Sequence, residues 1–363
     1  MSNRRFTVNP FGDLTLANED RTKLLEITDA LVHSKFEEYE EFINTEKRVD
    51  LGRWKKFAGS GATATYIERK HSKPDSNMPV SLMVGPLPGT LDENMFGLVS
   101  PTLEAMRIKS SYLGDFSAAA VLETIVEPTV DEPFQSVVVK WMEIDIPGAA
   151  FGIIRNRDYV YVESTGITHL KNGERVGFHL LHSVNFPQTH ELPSRVRGNM
   201  SLCAIFHQEG SDRTDCYGTG IMDPKGDIIR TIAVSGMVHA TMAGLKYSYC
   251  GQMKKLAEPI KKPKFRHFGK TSTTCKLCFG VLCRTCKVTK KLSFISPDLE
   301  LQQRKVRFCV KCLMEATRLD TLEAARYQFV YDQPAYSRTY GSLATSYMSS
   351  RSDDMMSVTS LPA

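Results

Sequence analysis

Six of the nine cysteines crowd between positions 275 and 312, in the order Cys275-x2-Cys278-x4-Cys283-x2-Cys286-x22-Cys309-x2-Cys312. A C-x2-C pair lets two thiolates grip one tetrahedral ion from a tight turn, so three such pairs in one short segment point to metal binding. An all-thiolate set fits a closed, structural zinc site, because catalytic zinc keeps one position open and usually takes histidine or carboxylate ligands. Four thiolates fill one site, which leaves two over. Cys203, Cys216 and Cys250 are scattered, so the chain does not read as a disulfide scaffold, and a reducing, cytoplasmic compartment is expected.

No residue pattern announces catalysis. The sequence has no H-E-x-x-H, no G-x-S-x-G, no P-loop and no G-x-G-x-x-G between a strand and a helix; Gly59-Ser60-Gly61 and Gly218-Thr219-Gly220 are lone pieces that read as turns or bulges. His179, His182, His190 and His207 stand without a paired nucleophile and read as structural histidines. The expectation is a protein that is not an enzyme.

Charge gives a second signal. The net +5 is uneven: Lys254 to Lys291 holds twelve Lys or Arg against the single acid Glu258, so a basic belt of +11 sits on a body of −6. Such a belt attracts anionic lipid headgroups or nucleic acid. Phe265 and Phe268 are its main interleaved aromatics, too few for base stacking, so nucleic acid is not expected as a partner. No run approaches the roughly 18 apolar residues of a membrane span, and MSNRRFTVNP lacks a signal-peptide core.

The elements that must carry these residues can be read from periodicity. Asn18 to Thr45 has apolar residues at spacings of three and four, which predicts an amphipathic helix with Asn18 as its cap. From Trp54 to Val234 short β-branched and aromatic runs take over: Gln135 to Met142, Asp158 to Thr165, Arg175 to Val184, Ser201 to Gln208, Cys216 to Met222 and Asp227 to Val234. Asp223-Pro224-Lys225-Gly226 is a turn signal between the last two, which predicts an antiparallel hairpin. Helical spacing returns over Gly236 to Glu258, closed by Pro259 and Pro263, and a shorter helix is expected over Leu313 to Tyr331.

Two resemblances follow from particular residues. TCKLCFGVLCRTC and the later RKVRFCVKC resemble the second, third and fourth cysteine pairs of a FYVE-type zinc finger. That resemblance implies a cross-braced module in which Cys275, Cys278, Cys309 and Cys312 hold one zinc. Cys283 and Cys286 would belong to a second site whose first pair is missing, so that site is either empty, completed by water or made with His267, the upstream ligand type close by. The family's RRHHC element is Thr271-Ser272-Thr273-Thr274-Cys275 here, no WxxD element is visible, and Phe279 replaces a glycine, whereas Lys276 and Arg307 match its basic positions. Headgroup attraction is therefore expected from Lys276 and Arg307 with Lys261, Lys262 and Lys264 of the belt.

Arg157-Asp158-Tyr159-Val160-Tyr161-Val162, Arg197-Gly198 and the Asp223 to Ile228 turn resemble motifs of the START lipid-transfer family. The resemblance covers Asn18 to Glu258 and implies a helix-grip fold, a curved antiparallel sheet gripped by a long C-terminal helix around a lipid tunnel. Tunnel candidates are Trp141, Tyr159, Tyr161, Met222, Met242 and Leu245, although one sequence does not separate a filled core from a cavity. Strand alternation puts Tyr159, Tyr161 and Glu163 on one face and Val160 and Val162 on the other; Glu163 is then either a rare charge facing the tunnel or a solvated residue, and the solvated reading is the one expected.

The expectation is an α+β protein: a tail (1–17), a START-like lipid-binding domain (18–258), a basic linker (259–270), a FYVE-like zinc module (271–331) and a disordered Ser/Thr/Tyr-rich tail (332–363). It would hold a lipid and bind anionic surfaces of intracellular membranes, endosomal ones included. The alternative is an interaction adaptor, its START-like core filled and its zinc module gripping protein partners.

Overall fold

The first helix, α1, runs from Asn18 to Asn44 and buries Leu24, Thr28, Val32, Lys35 and Tyr39, a stripe at the expected helical spacing. Ala17, not Asn18, is its N-cap. The computed structural model of the protein describes residues 9–12, 14–69, 79–114, 116–144, 154–226, 230–261, 274–296 and 300–331.

Ten strands of the described chain form one sheet: β1 (Trp54–Ser60), β2 (Thr63–Glu68), β3 (Val80–Pro88), β4 (Ala118–Val126), β5 (Ser136–Ile144), β6 (Asn156–His169), β7 (Arg175–Ser183), β8 (Arg195–Arg197), β9 (Asn199–Glu209) and β10 (Arg213–Asp223). Their order is β1-β2-β3-β10-β9-β7-β6-β5-β4, antiparallel throughout, with the short β8 pairing parallel to β6. The β1/β2 and β4/β5 pairs at the two edges carry register shifts, between Lys56 and Ala58 and along Val121 to Val126. Alternation then sorts the side chains. Val139, Trp141, Val160 and Val162 point to the face that α1 covers with Leu24, whereas Met142, Tyr159, Tyr161 and Met222 point to the other.

That second face is closed by helices. Two of them, α2 (Leu91–Leu98) and α3 (Leu103–Leu113), fall where the sequence pattern suggested only strands. Their signals were local and short: Thr90 and Glu93 form a reciprocal capping box, and the Thr102 hydroxyl accepts from the Ala105 N–H. The hairpin expected after Asp223 does not form. Lys225 and Gly226 adopt positive φ of 46° and 63°, and the described chain resumes at Arg230 as α4 (Arg230–Met242), where a strand was expected. A 3-10 turn (Ala243–Lys246) and α5 (Tyr247–Lys261) complete the closing helix, which arrives in three segments and runs past Pro259 rather than stopping there.

The START-like motif residues hold this frame. The guanidinium of Arg157 donates from Nε to the Pro224 carbonyl (3.0 Å) and from Nη2 to that of Lys225 (2.9 Å), tying down the turn into α4. Asp158 accepts from Arg197 at 2.8 and 3.1 Å and from the Trp141 indole at 2.9 Å. A Cβ on Gly198 would stand 2.5 Å from the Tyr159 ring, so the position has no room for a side chain. Burying Asp158 without these donors would cost several kcal/mol, about 3–5 for a broken buried pair.

The cysteine segment builds an antiparallel hairpin, β11 (Lys287–Ile295) and β12 (Leu301–Cys309), followed by α6 (Val310–Thr317), α7 (Thr321–Arg326) and a π-turn (Tyr327–Tyr331). It packs directly on the closing helix: Met253, Leu256, Ala257 and Ile260 of α5 share one core with Cys275, Leu292, Phe308 and Cys312. Lys255, 2 % exposed, reaches Glu93 Oε1 (3.0 Å), the Thr317 and Leu319 carbonyls (2.7 and 3.3 Å) and Thr321 Oγ1 (3.2 Å). Phe329 packs edge-on against Phe96 at 5.7 Å, with the Lys254 ammonium over both rings.

Candidate metal centre and ligand cavity

Cys275 and Cys278 lie on the turn before β11, Cys309 ends β12 and Cys312 lies in the first turn of α6. Their four thiols fall within 4.8 Å of one another, with Cys278 and Cys309 sulfurs 3.9 Å apart. Thiolates about 2.3 Å from a tetrahedral zinc stand about 3.8 Å from each other, so this set fits such an ion. Backbone donors already face the sulfurs: Cys309 N–H points to Cys275 Sγ (3.3 Å) and Cys312 N–H to Cys309 Sγ (3.4 Å). Burial pushes the Cys275 thiol up, but N–H donation from Cys278, Cys309 and Leu277 outweighs it and brings it down to about 7. The turn comes at a conformational cost, since Phe279 sits at φ 61° where glycine would be unstrained.

Cys283 and Cys286 are not in this set. Both are exposed, paired only with each other through the Cys286 N–H to Cys283 Sγ contact of 3.1 Å, and among the described residues no third ligand joins them. His267, Lys262 and Lys264 lie outside the described residues, and Lys261 ends α5.

Lys276 and Arg307 are neighbours, joined by the Lys276 N–H to Arg307 carbonyl bond of 2.9 Å. Burial and the nearby Arg304 lower the Lys276 ammonium. The hairpin register places Arg307 on the same face as Lys287, Lys291 and Lys305, with Lys291 directly opposite Lys305. Like charges so placed repel. Among the described residues none of these four has an acidic partner within salt-bridge distance.

The cavity lies between the sheet and its closing helices. It measures about 140 Å³ and is lined mainly by Met83, Met142, Met200, Met222, Leu181 and Phe206, with Tyr247 of α5 opposite. Of the tunnel candidates, Tyr161 and Met222 line it; Tyr159 and Met242 pack in the adjoining core and Leu245 in the core around α2. Trp141 faces the other side of the sheet, edge-on to Phe11 at 6.2 Å, because it pairs opposite Val160 and shares that residue's face.

One wall is polar, and here the structure reverses an expectation. Glu163 is not solvated but 1 % exposed. It is ion-paired to Lys140, hydrogen-bonded from His179 Nε2 at 2.9 Å and 3.9 Å from Lys109 Nζ. Burial alone would raise its carboxyl; the two ammonium groups and His179 hold it well below the usual carboxylate range. Lys140 also donates to the Ser100 carbonyl at 2.7 Å, which pins the α2–α3 connection to the sheet. Burial depresses His179, which favours its neutral form. Lys109 and His179 themselves line the cavity, so a mainly apolar space, with Thr219 and Thr241 also in its lining, ends on a charged, hydrogen-bonding group. The sequence offered half of this: alternation put Glu163 on the cavity face, but its partners on β5, β7 and α3 needed the register and the unforeseen helix.

No protein-family model matches the chain, and no curated protein sequence matches it. Among solved structures it is similar to human STARD10 (TM-score 0.42, 14 % identity, 63 % of this chain and 83 % of that one). It is also similar to human StAR-related lipid transfer protein 5 (0.42, 16 %, 61 % and 97 %) and to the Streptomyces aromatase/cyclase Zhui (0.29, 11 %, 52 % and 98 %). The helix-grip assignment rests on the strand order and helix placement, not on these likenesses.

Proposed function

We propose that the chain is a non-enzymatic lipid-binding protein. The sheet and its closing helices hold a lipid, and the cysteine module, with zinc on Cys275, Cys278, Cys309 and Cys312, presents a cationic face to anionic membrane. The observation that carries this reading is the methionine-lined cavity that ends on Lys109 and His179. An apolar chain entering such a lining gains about 0.8 kcal/mol per methylene removed from water, and the polar wall orients the ligand's polar end. Lys287, Lys291, Lys305 and Arg307 supply the attraction to the surface, worth about 1 kcal/mol for each well-placed cation. Recognition is by charge rather than by one phosphoinositide isomer, consistent with the uncharged Thr271 to Thr274 where a FYVE finger has RRHHC. The chain then works in the cytoplasm, peripheral to intracellular membranes.

Native mass spectrometry of the full chain from a eukaryotic host tests this by counting zinc and co-purified lipid together. The expected result is bound lipid that Met222→Trp, which fills the cavity, depletes at least tenfold while zinc stays unchanged. A chain purified without lipid, and unable to take up lipid from vesicles, would defeat the lipid reading. The small volume, about 140 Å³, is the observation behind the second reading, a protein adaptor with a filled core, and a lipid-free chain would turn the choice toward it.

A further inference from the structure

The Cys283–Cys286 pair has the local geometry of a metal grip but, among the described residues, only half the ligands. The Cys286 N–H contacts Cys283 Sγ at 3.1 Å, the same i to i+3 arrangement that Cys312 and Cys309 adopt at 3.4 Å in the four-thiol set. Both sulfurs face solvent. No further thiol of this chain is free to join them. Cys275, Cys278, Cys309 and Cys312 fill their own set, and Cys203, Cys216 and Cys250 are buried in the sheet and helix cores.

We infer that Cys283 and Cys286 are one half of a second tetrathiolate zinc site, completed by the same pair of a second copy of the chain. Two C-x2-C grips related by a two-fold axis supply four thiolates to one ion, an isologous contact that closes on itself. Binding is balanced as one zinc ion and four thiols giving a zinc tetrathiolate of charge 2− and four protons. Its negative charge offsets Arg284 and Lys287, the cations beside the pair in each copy, which would otherwise repel. The exposed apolar residues beside the pair, Val281 at 86 % and Phe279 at 37 % exposure, are what such a contact would cover.

The test counts zinc and chains together, on the full chain in a reducing phosphine buffer with zinc added stepwise. Native mass spectrometry and light scattering should show a dimer carrying three zinc ions. The double variant Cys283→Ser, Cys286→Ser should be a monomer with one. In Cys309→Ser a dimer holding a single zinc supports the shared site even if the four-thiol set fails, which keeps the two zinc assignments separate. The inference is overturned by a monomer with one zinc at saturation. It is equally overturned by a monomer with two zinc ions that falls to one in His267→Ala, or by a dimer that survives the double serine variant unchanged.

Discussion

Gly97→Ala sets two effects of opposite sign against each other. In an exposed helix, glycine to alanine stabilises by about 1 kcal/mol, because alanine has less unfolded-state freedom to lose. At Gly97 the added Cβ would stand 1.8 Å from the Tyr247 carbonyl oxygen, and at Gly251 the reciprocal Cβ would stand 2.4 Å from the Glu93 oxygen. Helices α2 and α5 therefore cross in backbone contact. Restoring 3.0 Å at Gly97 requires them to part by about 1.2 Å, and no flexible side chain can absorb that shift. Parting them also pulls on the Lys255 to Glu93 ion pair, 3.0 Å long and nearly buried. Overpacking costs about 1–3 kcal/mol and the strained pair adds to it, so after the helix gain the net loss should be about 2 kcal/mol. Gly236→Ala in α4 is the internal control, with nothing within 4 Å of its added Cβ, and should stabilise by about 0.5–1 kcal/mol. Urea unfolding at constant m-value reads both. If Gly97→Ala stabilises like Gly236→Ala, the helices do not touch there and the packing of the closing helix is wrong.

Three further outcomes follow from other contacts. Cys309→Ser should remove the zinc of the four-thiol set and, because Leu292 and Phe308 share a core with Leu256 and Ile260 of α5, lower the melting of the whole chain by roughly 5–10 °C for about 2–5 kcal/mol lost; melting of the large domain that stays put would show the two units to be independent. Stability should fall as pH drops below about 6.5, since burial depresses His179 and His182 and the unfolded chain then binds more protons. It should fall again below about 4.5, where unfolded Glu163 protonates before its depressed folded form does. His179→Gln should flatten the first slope in urea titrations, and an unchanged slope would refute that assignment. Lys291→Glu with Lys305→Glu should abolish sedimentation with phosphatidylserine vesicles, and wild-type binding should weaken steeply with salt over a Debye length of about 8 Å; salt-resistant binding selective for phosphatidylinositol 3-phosphate would point to a stereospecific pocket.

The sequence by itself determined what is local. Cysteine spacing fixes which thiols a tight turn can bring to one ion, the 3.6-residue stripe fixes the buried face of α1, and two-residue alternation separates Tyr159, Tyr161 and Glu163 from Val160 and Val162. Tertiary structure decided what depends on partners distant in the chain. Register sets Trp141 opposite Val160 and so takes it away from the cavity, while Lys140 opposite Tyr161 faces inward toward Glu163. Glu163 is buried as a charge only because strands β5 and β7 and helix α3 bring two ammonium groups and an imidazole to it, and no window of sequence contains all four. The turn at Lys225 and Gly226 reads as a hairpin in isolation; it leads into a helix because α4 has a sheet face to cover, with Met237 and Val238 packed on Tyr161 and Met222. Local chemistry can be read residue by residue, but burial and the partners it brings together are properties of the whole packed chain, and at Glu163 the partners outweigh burial to keep the carboxylate charged.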